Sequence, residues 1–340
     1  MVIGFVILIV LLKFVGYGEI LQSLALVNVG FLILMLGTKV LSLFIFNYKA
    51  FLLCKNIKPI SFWKLLPIHL SGALVNNLTP GPSVGGEPVK AYFLEKATGM
   101  RGSKCFGLFT TDSLIFLVGT VIFMSLSTFY LIFSISFRKL AYFLAGWFAI
   151  FIILSILMVL FIFKISRNKE RMDRFLVRIY KFRLFKFIKK KFKTPEIFVK
   201  SFHSKQKAFM GTIKTLMIDK RTVLKVLGAS LIWYPLQALG LWFLLSGMGL
   251  QVSFIRLVAV TTVSMSLGFI IFVPGGTGAV ESAIILLMSL LGVPASAITA
   301  AVLLDRAAYY IMTYVFGYLA LSYVSMIYTA PGKMIKKLDT

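Results

Sequence analysis

The sequence predicts an all-α, polytopic membrane helix bundle. The prediction rests on composition, on long apolar stretches and on the placement of charge. Of the 340 residues, 59% are hydrophobic and the mean hydropathy is +0.93, whereas soluble domains contain about 45–50% apolar residues. Charged residues make up only 14%, against about 25% in soluble domains. This composition excludes an ordinary soluble enzyme or binding module.

Nine apolar stretches follow one another along the chain. A helix needs about 20 residues to cross a hydrocarbon core about 30 Å thick, and we interpret six of the stretches as crossings. The first of them lacks the basic start and the cleavage site of a signal peptide, so we expect it to be retained as a short span. The six are Val2–Tyr17, Val27–Leu53, Phe106–Phe133, Leu140–Phe163, Val226–Gly247 and Ala295–Tyr328.

The other three stretches are short for a crossing: Phe62–Leu78, Leu257–Val273 and Val280–Leu291. Two of them run into turns rich in proline and glycine, at Thr79–Pro82 and Pro274–Gly276. A short helix, a Pro-Gly break and a second short helix are typical of a re-entrant hairpin. Its irregular turn survives at membrane depth only if it is buried in protein or lines a watery cavity. The sequence therefore predicts two re-entrant, broken helical hairpins.

The basic residues are distributed unevenly about these crossings. Of the 37 Lys and Arg residues, the predicted topology places thirty on one side, including Lys49, and three on the other. Lys and Arg concentrate in cytoplasmic loops, so we expect a multi-pass protein of the cell membrane with both termini in the cytoplasm. Cys54 and Cys105 then lie near the reducing side, where unpaired thiols are expected.

The two broken elements belong to an internal repeat. In both copies a glutamate follows the turn proline by seven residues, and an aspartate follows that glutamate by 25 and 24 residues. The first copy enters from the cytoplasm and the second from outside, which makes them inverted repeats. We expect a single membrane domain, 1–340, with repeat 1 at about 27–133, repeat 2 at about 226–328 and a basic insert at 164–225. The matched landmarks are Ser61 with Ser253, Pro80 with Pro274, Glu87 with Glu281 and Asp112 with Asp305.

Charged residues and glycines at matched positions predict the binding site. A charge at the centre of a span costs about 2.5–3.5 kcal/mol on insertion scales. A purely structural alternative is that Glu87 pairs with Lys90, and Asp305 with Arg306 or another helix, to pin the bundle. The recurrence of the acids favours a shared polar cavity, where half-helix N-termini and cations attract an anion such as phosphate. The predicted transport residues are Gly85, Gly86, Glu87, Lys90, Asp112, Gly275, Gly276, Glu281, Asp305 and Arg306.

The insert carries most of the excess positive charge. From Lys164 to Lys225 there are 20 basic and 4 acidic residues. Apolar residues recur every three or four positions over Arg171–Phe192, which predicts a basic amphipathic helix on an anionic lipid surface. Nucleic acid is the competing partner, but no nucleic-acid-binding motif is present and the flanking spans hold the insert at the membrane. The sequence favours lipid.

Few residues are suited to metal binding or nucleophilic catalysis. Cys54 and Cys105 show no zinc-ligand spacing, and His69 and His203 stand apart from each other. We therefore expect no metal, no cofactor and no Ser-His-Asp triad.

The motifs resemble those of the flippase-like integral membrane family. This family includes the membrane domain of lysylphosphatidylglycerol synthetase and uncharacterised UPF0104-type membrane proteins of archaea and bacteria. The resemblance implies a role in translocating lipids, such as aminoacylated phosphatidylglycerol or hopanoid or polyprenyl-linked lipids. The full synthetase makes its lipid in a soluble domain for which these 340 residues leave no room, so we expect no enzyme activity. The resemblance rests on Pro80-Gly81, Gly85-Gly86-Glu87-Pro88, Lys90, Pro274-Gly275-Gly276, Gly278, Glu281 and Asp305-Arg306.

These observations lead to one hypothesis and two alternatives. The hypothesis is a lipid flippase or transporter that moves an anionic, phosphate-bearing headgroup through a cavity between inverted repeats. The first alternative is an ion- or proton-coupled transporter of a small solute that uses the same acids. The second is a membrane-embedded lipid-phosphate transferase with Glu87 or Asp112 as base. The sequence leaves open which lipid is moved and whether the chain forms a homo-oligomer.

Overall fold

The computed structural model describes residues 17–79, 85–134, 138–167, 194–270 and 278–329, together with Asp173 and Val177. Over these residues the chain is helical and contains no strand, as the composition predicts. A π-helical turn, Met312–Phe316, joins the last two helices. The helices are α1 Tyr17–Ala25, α2 Val29–Lys55, α3 Phe62–Leu78, α4 Gly86–Thr98, α5 Gly102–Ser134, α6 Arg138–Arg167, α7 Pro195–Ile218, α8 Lys220–Gly247, α9 Phe254–Ile270, α10 Ala279–Leu290, α11 Ala295–Ile311 and α12 Gly317–Thr329.

Five helical segments of the described chain are long and apolar enough to cross a membrane. They confirm five of the six predicted crossings, and the sixth, Val2–Tyr17, lies almost wholly outside the described residues. Large apolar side chains remain exposed on these helices, among them Phe133 and Leu126, which is how a lipid-facing surface differs from a soluble one. The protein is a multi-pass membrane protein. The five segments are Val29–Lys55, Gly102–Ser134, Lys139–Leu160, Lys220–Gly247 and Ala295–Thr329.

The short helices form two hairpins. The first hairpin is α3 with α4, of 17 and 13 residues, and the second is α9 with α10, of 17 and 12 residues. Each begins directly after a serine: the Ser61 side chain caps α3, and the Ser253 carbonyl accepts the first hydrogen bond of α9. The two broken helical elements are thus confirmed as packed helix pairs. Their turns, 80–84 and 271–277, lie outside the described residues.

Helices α2 and α8, which we call the central pair, run antiparallel and make the most extensive helix–helix contact in the described chain. At one end the Asn28 N–H donates to the Gly247 carbonyl at 3.3 Å. At the other end the Asn56 side chain donates to Asp219 Oδ2 at 2.5 Å. Because α3 follows α2 and α9 follows α8, the two hairpins begin at opposite ends of this central pair.

Each hairpin is surrounded by its own apolar core. Leu65 of α3 and Leu94 of α4 pack with buried residues of α2 and α5 in one cluster. Val260 of α9 and Ile284 of α10 pack with buried residues of α8 and α11 in the other. Packing on separate cores allows each hairpin to be positioned by its own neighbours.

The described part of the basic insert packs against the bundle. Helix α7, Pro195–Ile218, lies along α5, where the Phe106 and Phe209 rings stack at 5.6 Å between centroids. The absence of a side chain at Gly107 permits this approach, because a Cβ there would lie 2.8 Å from the Phe209 carbonyl oxygen. Apart from Asp173 and Val177, the predicted amphipathic helix Arg171–Phe192 lies outside the described residues.

Candidate functional site

The four acids that the repeat places within the membrane are all buried. Their residues are 2–8% exposed, and each carboxylate lies within 3.2 Å of a cationic nitrogen. A buried charge without a partner is strongly unfavourable, whereas a paired one is tolerated. The partners are Lys90 for Glu87, Lys49 for Asp112, Arg306 for Glu281 and Lys39 for Asp305.

We call the group of Lys49, Glu87, Lys90 and Asp112 the first cluster. Lys90 Nζ lies 2.8 Å from Glu87 Oε1, one helical turn along α4. Lys49 Nζ, on α2, lies 3.2 Å from Asp112 Oδ1 on α5. Lys49 also interacts electrostatically with Lys90 and Glu87. Two acids and two cations from three helices therefore form one charge-balanced group.

Aromatic rings surround the lysines of the first cluster. Lys49 Nζ lies 4.5 Å from the centroids of both the Phe46 and the Phe116 rings. Lys90 Nζ lies 4.8 Å from the Phe109 centroid. The negative faces of these rings attract an ammonium group, so they stabilise both charges where water is scarce.

The glycines of the first hairpin bring α3 and α4 into direct contact. A Cβ on Gly86 would lie 2.1 Å from the Gly72 carbonyl oxygen, and a Cβ on Gly72 would lie 2.3 Å from Lys90 Cγ. The aliphatic part of the Lys90 side chain therefore lies across Gly72, and the Lys90 ammonium group reaches Glu87. The Gly86 N–H donates to Asn76 Oδ1 at 2.6 Å, so α3 provides the cap of α4.

We call the group of Lys39, Glu281, Asp305 and Arg306 the second cluster. Lys39 Nζ, on α2, lies 2.6 Å from Asp305 Oδ1 on α11. Arg306 Nε lies 3.2 Å from Glu281 Oε1. Arg306 also interacts electrostatically with Asp305, so the two pairs form a second charge-balanced group.

Polar side chains support the second cluster from two sides. Gln237 of α8 accepts from Lys39 at 3.4 Å and donates to Ser42 Oγ at 2.7 Å. The Tyr310 hydroxyl donates to Glu281 Oε1 at 3.3 Å. Gly240 leaves room on α8, because a Cβ there would lie 3.1 Å from Asp305 Oδ1.

Helices α2, α3 and α11 connect the two clusters. Lys39 and Lys49 are ten residues apart on α2, which corresponds to about 15 Å along a helix, and each joins one cluster. Asn77 of α3 exchanges hydrogen bonds of 3.0 and 3.1 Å with the Tyr309 hydroxyl of α11. The two clusters are thus linked by one shared helix and by one direct contact between α3 and α11.

The structure brings together six of the ten predicted transport residues in these two clusters. Gly85 and Gly86 lie at the start of α4, and Gly275 and Gly276 lie outside the described residues. Glu87 pairs with Lys90 and Asp305 pairs with another helix, through Lys39, as the structural alternative to a binding site had predicted; the pairs themselves do not decide between the two. Sequence reasoning missed Lys39 as a member of the site, although a lysine well inside a long apolar stretch was a usable signal.

The sequence analysis counted Lys49 among the charges of the cytoplasmic boundary and did not predict that it is buried inside the bundle. Lys49 is completely buried and paired with Asp112. It lies near the end of α2, where positive charge usually marks a membrane edge, and the partner that draws it inward is 63 residues further along the chain. Removing this one residue from the count of thirty leaves the charge asymmetry intact.

Each half of the chain holds two buried, paired acids: a glutamate on the second helix of the hairpin, Glu87 or Glu281, and an aspartate on the long helix that follows, Asp112 or Asp305. Residues 1–317 match the family described as the lysylphosphatidylglycerol synthase TM region. The chain belongs to this family. Its relatives in the family resemble it over almost their whole length. The chain is 28% identical to a UPF0104 membrane protein of Pyrococcus horikoshii, over 94% of this chain and 95% of the relative.

Two further UPF0104 membrane proteins show the same extent of similarity. One, from Methanocaldococcus jannaschii, is 24% identical over 94% of this chain and 93% of its own length. The other, from Methanothermobacter thermautotrophicus, is 23% identical over 95% of this chain and 94% of its own length. The similarity to these membrane proteins thus extends over nearly the whole of this chain and of each relative.

Proposed function

We propose that this protein is a lipid flippase or transporter and not an enzyme. The headgroup, an anionic one bearing phosphate, passes between the two clusters while the acyl or prenyl chains stay in the bilayer. Lys90 and Arg306 engage the phosphate in exchange for their carboxylate partners, and the freed acids hold donor groups of the headgroup. The partners are membrane lipids such as an anionic phospholipid or a polyprenyl-phosphate-linked lipid.

The two charge-balanced clusters carry this proposal. Seven charged residues are buried and the eighth, Arg306, is partly buried, in a bundle that exposes many large apolar side chains. Well-packed apolar residues stabilise a bundle as well as buried ion pairs do, and intramembrane charges commonly mark substrate or ion pathways. An ion pair can open to a zwitterionic or phosphate-bearing group and close behind it without leaving a charge unpaired.

The antiparallel central helices support a transport cycle. Because α2 and α8 run in opposite directions, the hairpins that follow them begin at opposite ends, as inverted repeats require. In transporters built this way, one repeat rocks against the other and exposes a midplane site to each side in turn. We infer the same motion for the first and second hairpins here, in the cell membrane and with cytoplasmic termini.

Reconstitution into liposomes tests the proposal. The purified chain is incorporated with trace phosphatidylglycerol or polyprenyl phosphate that carries a fluorescent nitrobenzoxadiazole group on the lipid chain, and dithionite quenches the outer leaflet. We expect the protected fraction to fall well below that of empty vesicles. Glu87→Gln should abolish the effect, and Glu95→Gln, on the same helix but outside both clusters, should retain it.

The competing solute transporter predicts a different result from the same vesicles. In that case the protected lipid fraction equals that of empty vesicles, while radiolabelled inorganic phosphate accumulates in response to a pH gradient. That combination would overturn lipid transport.

A further inference from the structure

The two hairpin glutamates match in sequence but differ in their hydrogen bonds. Glu281 uses both carboxylate oxygens. Its Oε2 accepts the Gly278 N–H at 2.7 Å, which caps the start of α10. Its Oε1 lies 3.2 Å from Arg306 Nε and accepts from the Tyr310 hydroxyl. Within the described chain, Glu281 thus caps α10 with one oxygen and joins α10 to α11 with the other.

Glu87 uses only one carboxylate oxygen. Its Oε1 accepts from Lys90 at 2.8 Å and from Ser113 at 3.5 Å. Its Oε2 is buried and has no hydrogen-bond partner among the described residues. Since a buried polar atom without a partner is destabilising, this oxygen requires an explanation that Glu281 does not.

The difference arises from the way each hairpin caps its second helix. In the first hairpin the Asn76 side chain accepts the Gly86 N–H, so α3 supplies a cap for α4 that does not use Glu87. In the second hairpin the residue at the same distance before the proline is Ile270, which has no polar side-chain atom. Glu281 supplies the cap itself, and this occupies the oxygen that Glu87 leaves free.

A second unpartnered atom lies beside the first cluster. His69 of α3 is 7% exposed, and its Nδ1 is buried without a hydrogen-bond partner in the described part of the chain. Lys90 and Lys49 both interact with His69 electrostatically. In a neutral histidine the nitrogen without the proton can accept a hydrogen bond, so Glu87 Oε2 and His69 Nδ1 are both available as acceptors when that nitrogen is Nδ1. Asp112 Oδ1 also makes no hydrogen bond, but it lies against the Lys49 ammonium group, and the charges of the first cluster are already balanced.

We propose that Glu87 Oε2 and His69 Nδ1 accept hydrogen bonds from a hydroxyl or ammonium group of the transported headgroup, whereas Glu281 is a structural cap. The inference rests on the lipid transport proposed above and narrows it: of the two hairpin glutamates, Glu87 alone receives the headgroup donor, and the first hairpin is the part that recognises the headgroup. Both atoms are closed to solvent in this conformation, so a headgroup reaches them when the first hairpin moves away from α5.

Binding of short-chain lipids tests the inference without requiring transport. The full chain in detergent is heated alone and with dioctanoyl phosphatidylglycerol, which offers hydroxyls, phosphatidylethanolamine, which offers an ammonium group, or phosphatidylcholine, which offers no donor. Ligands that bind the folded state raise the unfolding temperature. We expect the wild-type protein to be stabilised more by at least one donor-bearing lipid than by phosphatidylcholine, and the response shows which donor it takes.

Matched variants then separate the two glutamates. In Glu87→Gln the Lys90 ammonium retains the amide oxygen, so an NH₂ group faces the headgroup and the preference for donor-bearing lipids should disappear. Glu281→Gln should lower the unfolding temperature without lipid but keep the preference. If Glu87→Gln does not fold, Glu87→Asp keeps the charge, withdraws the carboxylate by one methylene and should reduce the preference.

Three results would overturn the inference: no preference in the wild type, a full preference in both Glu87 variants, or its loss in Glu281→Gln. These results differ from a failure of the proposed function. A protein that shows the preference but moves no lipid in vesicles disproves transport and leaves the headgroup site standing. A protein that moves lipid without the preference disproves the site alone.

Discussion

Lys49 Nζ lies 3.2 Å from Asp112 Oδ1, and the lysine side chain is completely buried within the bundle. The lysine belongs to α2 and the aspartate to α5, so the pair joins the central helix to the crossing that follows the first hairpin. The Phe46 and Phe116 rings cover the ammonium group. The first predictions concern what this pair contributes.

Replacing Lys49 by methionine should strongly destabilise the protein. Methionine fills a similar volume, but Asp112 then remains charged, buried and without its cation. Removing one partner of a buried pair typically costs about 3–5 kcal/mol. The free energy of unfolding, measured by titration from mild detergent into sodium dodecyl sulfate, should fall by an amount in this range.

The double variant Lys49→Met with Asp112→Asn is the matched control. It removes both charges together and should recover most of the lost stability, because no unpaired charge remains. If the double variant is as unstable as Lys49→Met alone, the pair does not explain the effect and packing around Lys49 does.

A methyl group at Gly72 should separate the helices of the first hairpin. A Cβ there would lie 2.3 Å from Lys90 Cγ and 3.0 Å from the Gly86 carbonyl oxygen, which are distances that require movement. Overpacking of this kind typically costs about 1–3 kcal/mol. We expect Gly72→Ala to lower both the unfolding temperature and the rate of lipid movement.

Gly37→Ala provides the comparison for this variant, since a Cβ at Gly37 would meet no atom within 4 Å. Alanine is also the better helix former, so the unfolding temperature should stay the same or rise. Equal losses in the two variants would show that the hairpin contact at Gly72 is not tight.

The helices and hairpins could be predicted from the sequence because each depends on local pattern. Stretches of apolar residues indicated the crossings, and the Pro-Gly turns after Phe62–Leu78 and Leu257–Val273 indicated the breaks. The buried acids could be predicted as well, because a carboxylate within an apolar segment is costly and Glu87 and Glu281 recur in register.

The partners of the acids could not all be predicted, because most pairings depend on how helices pack. Glu87 and Lys90 are one turn apart, so their pairing follows from helix geometry alone. Asp305 reaches Lys39 across 266 residues of sequence, and only the contact between α11 and α2 brings them together. For the same reason sequence spacing matches Glu87 with Glu281, although their contacts differ. The Glu281 carboxylate caps α10, whereas Glu87 Oε2 has no hydrogen-bond partner among the described residues.

Asp219 should make the junction between α7 and α8 sensitive to acid. Hydrogen bonds from the Thr222 side chain and backbone, and then from Asn56, lower the pKa of the Asp219 carboxyl below its ordinary value of 3.8. A lowered pKa in the folded state contributes stability that is present above the ordinary pKa and is lost as the pH falls through the lowered one.

Thermal unfolding at a series of pH values checks this prediction. The unfolding temperature of the wild type should exceed that of Asp219→Ala by a constant margin near neutral pH, and the margin should shrink below about pH 3.8. Asp219→Asn keeps a capping oxygen that does not titrate, so its margin over alanine should not vary with pH. A wild-type margin that grows on acidification would contradict the assignment.

Cysteine labelling can decide whether the two hairpins begin on opposite sides of the membrane. Cys54 and Cys105 are fully buried and should react little, so the native chain gives a low background. Lys58 precedes the first hairpin and Gln251 precedes the second, and both are exposed. The first of these loops carries lysine and the second has no charged residue between 248 and 253, so we expect the first loop to lie in the cytoplasm. In intact cells a membrane-impermeant maleimide should therefore label Gln251→Cys and not Lys58→Cys, and permeabilisation should expose both.

Two other outcomes are informative. Labelling of both Lys58→Cys and Gln251→Cys in intact cells would contradict the inverted arrangement. Labelling of Lys58→Cys alone would keep the inverted arrangement but place the first loop outside the cell.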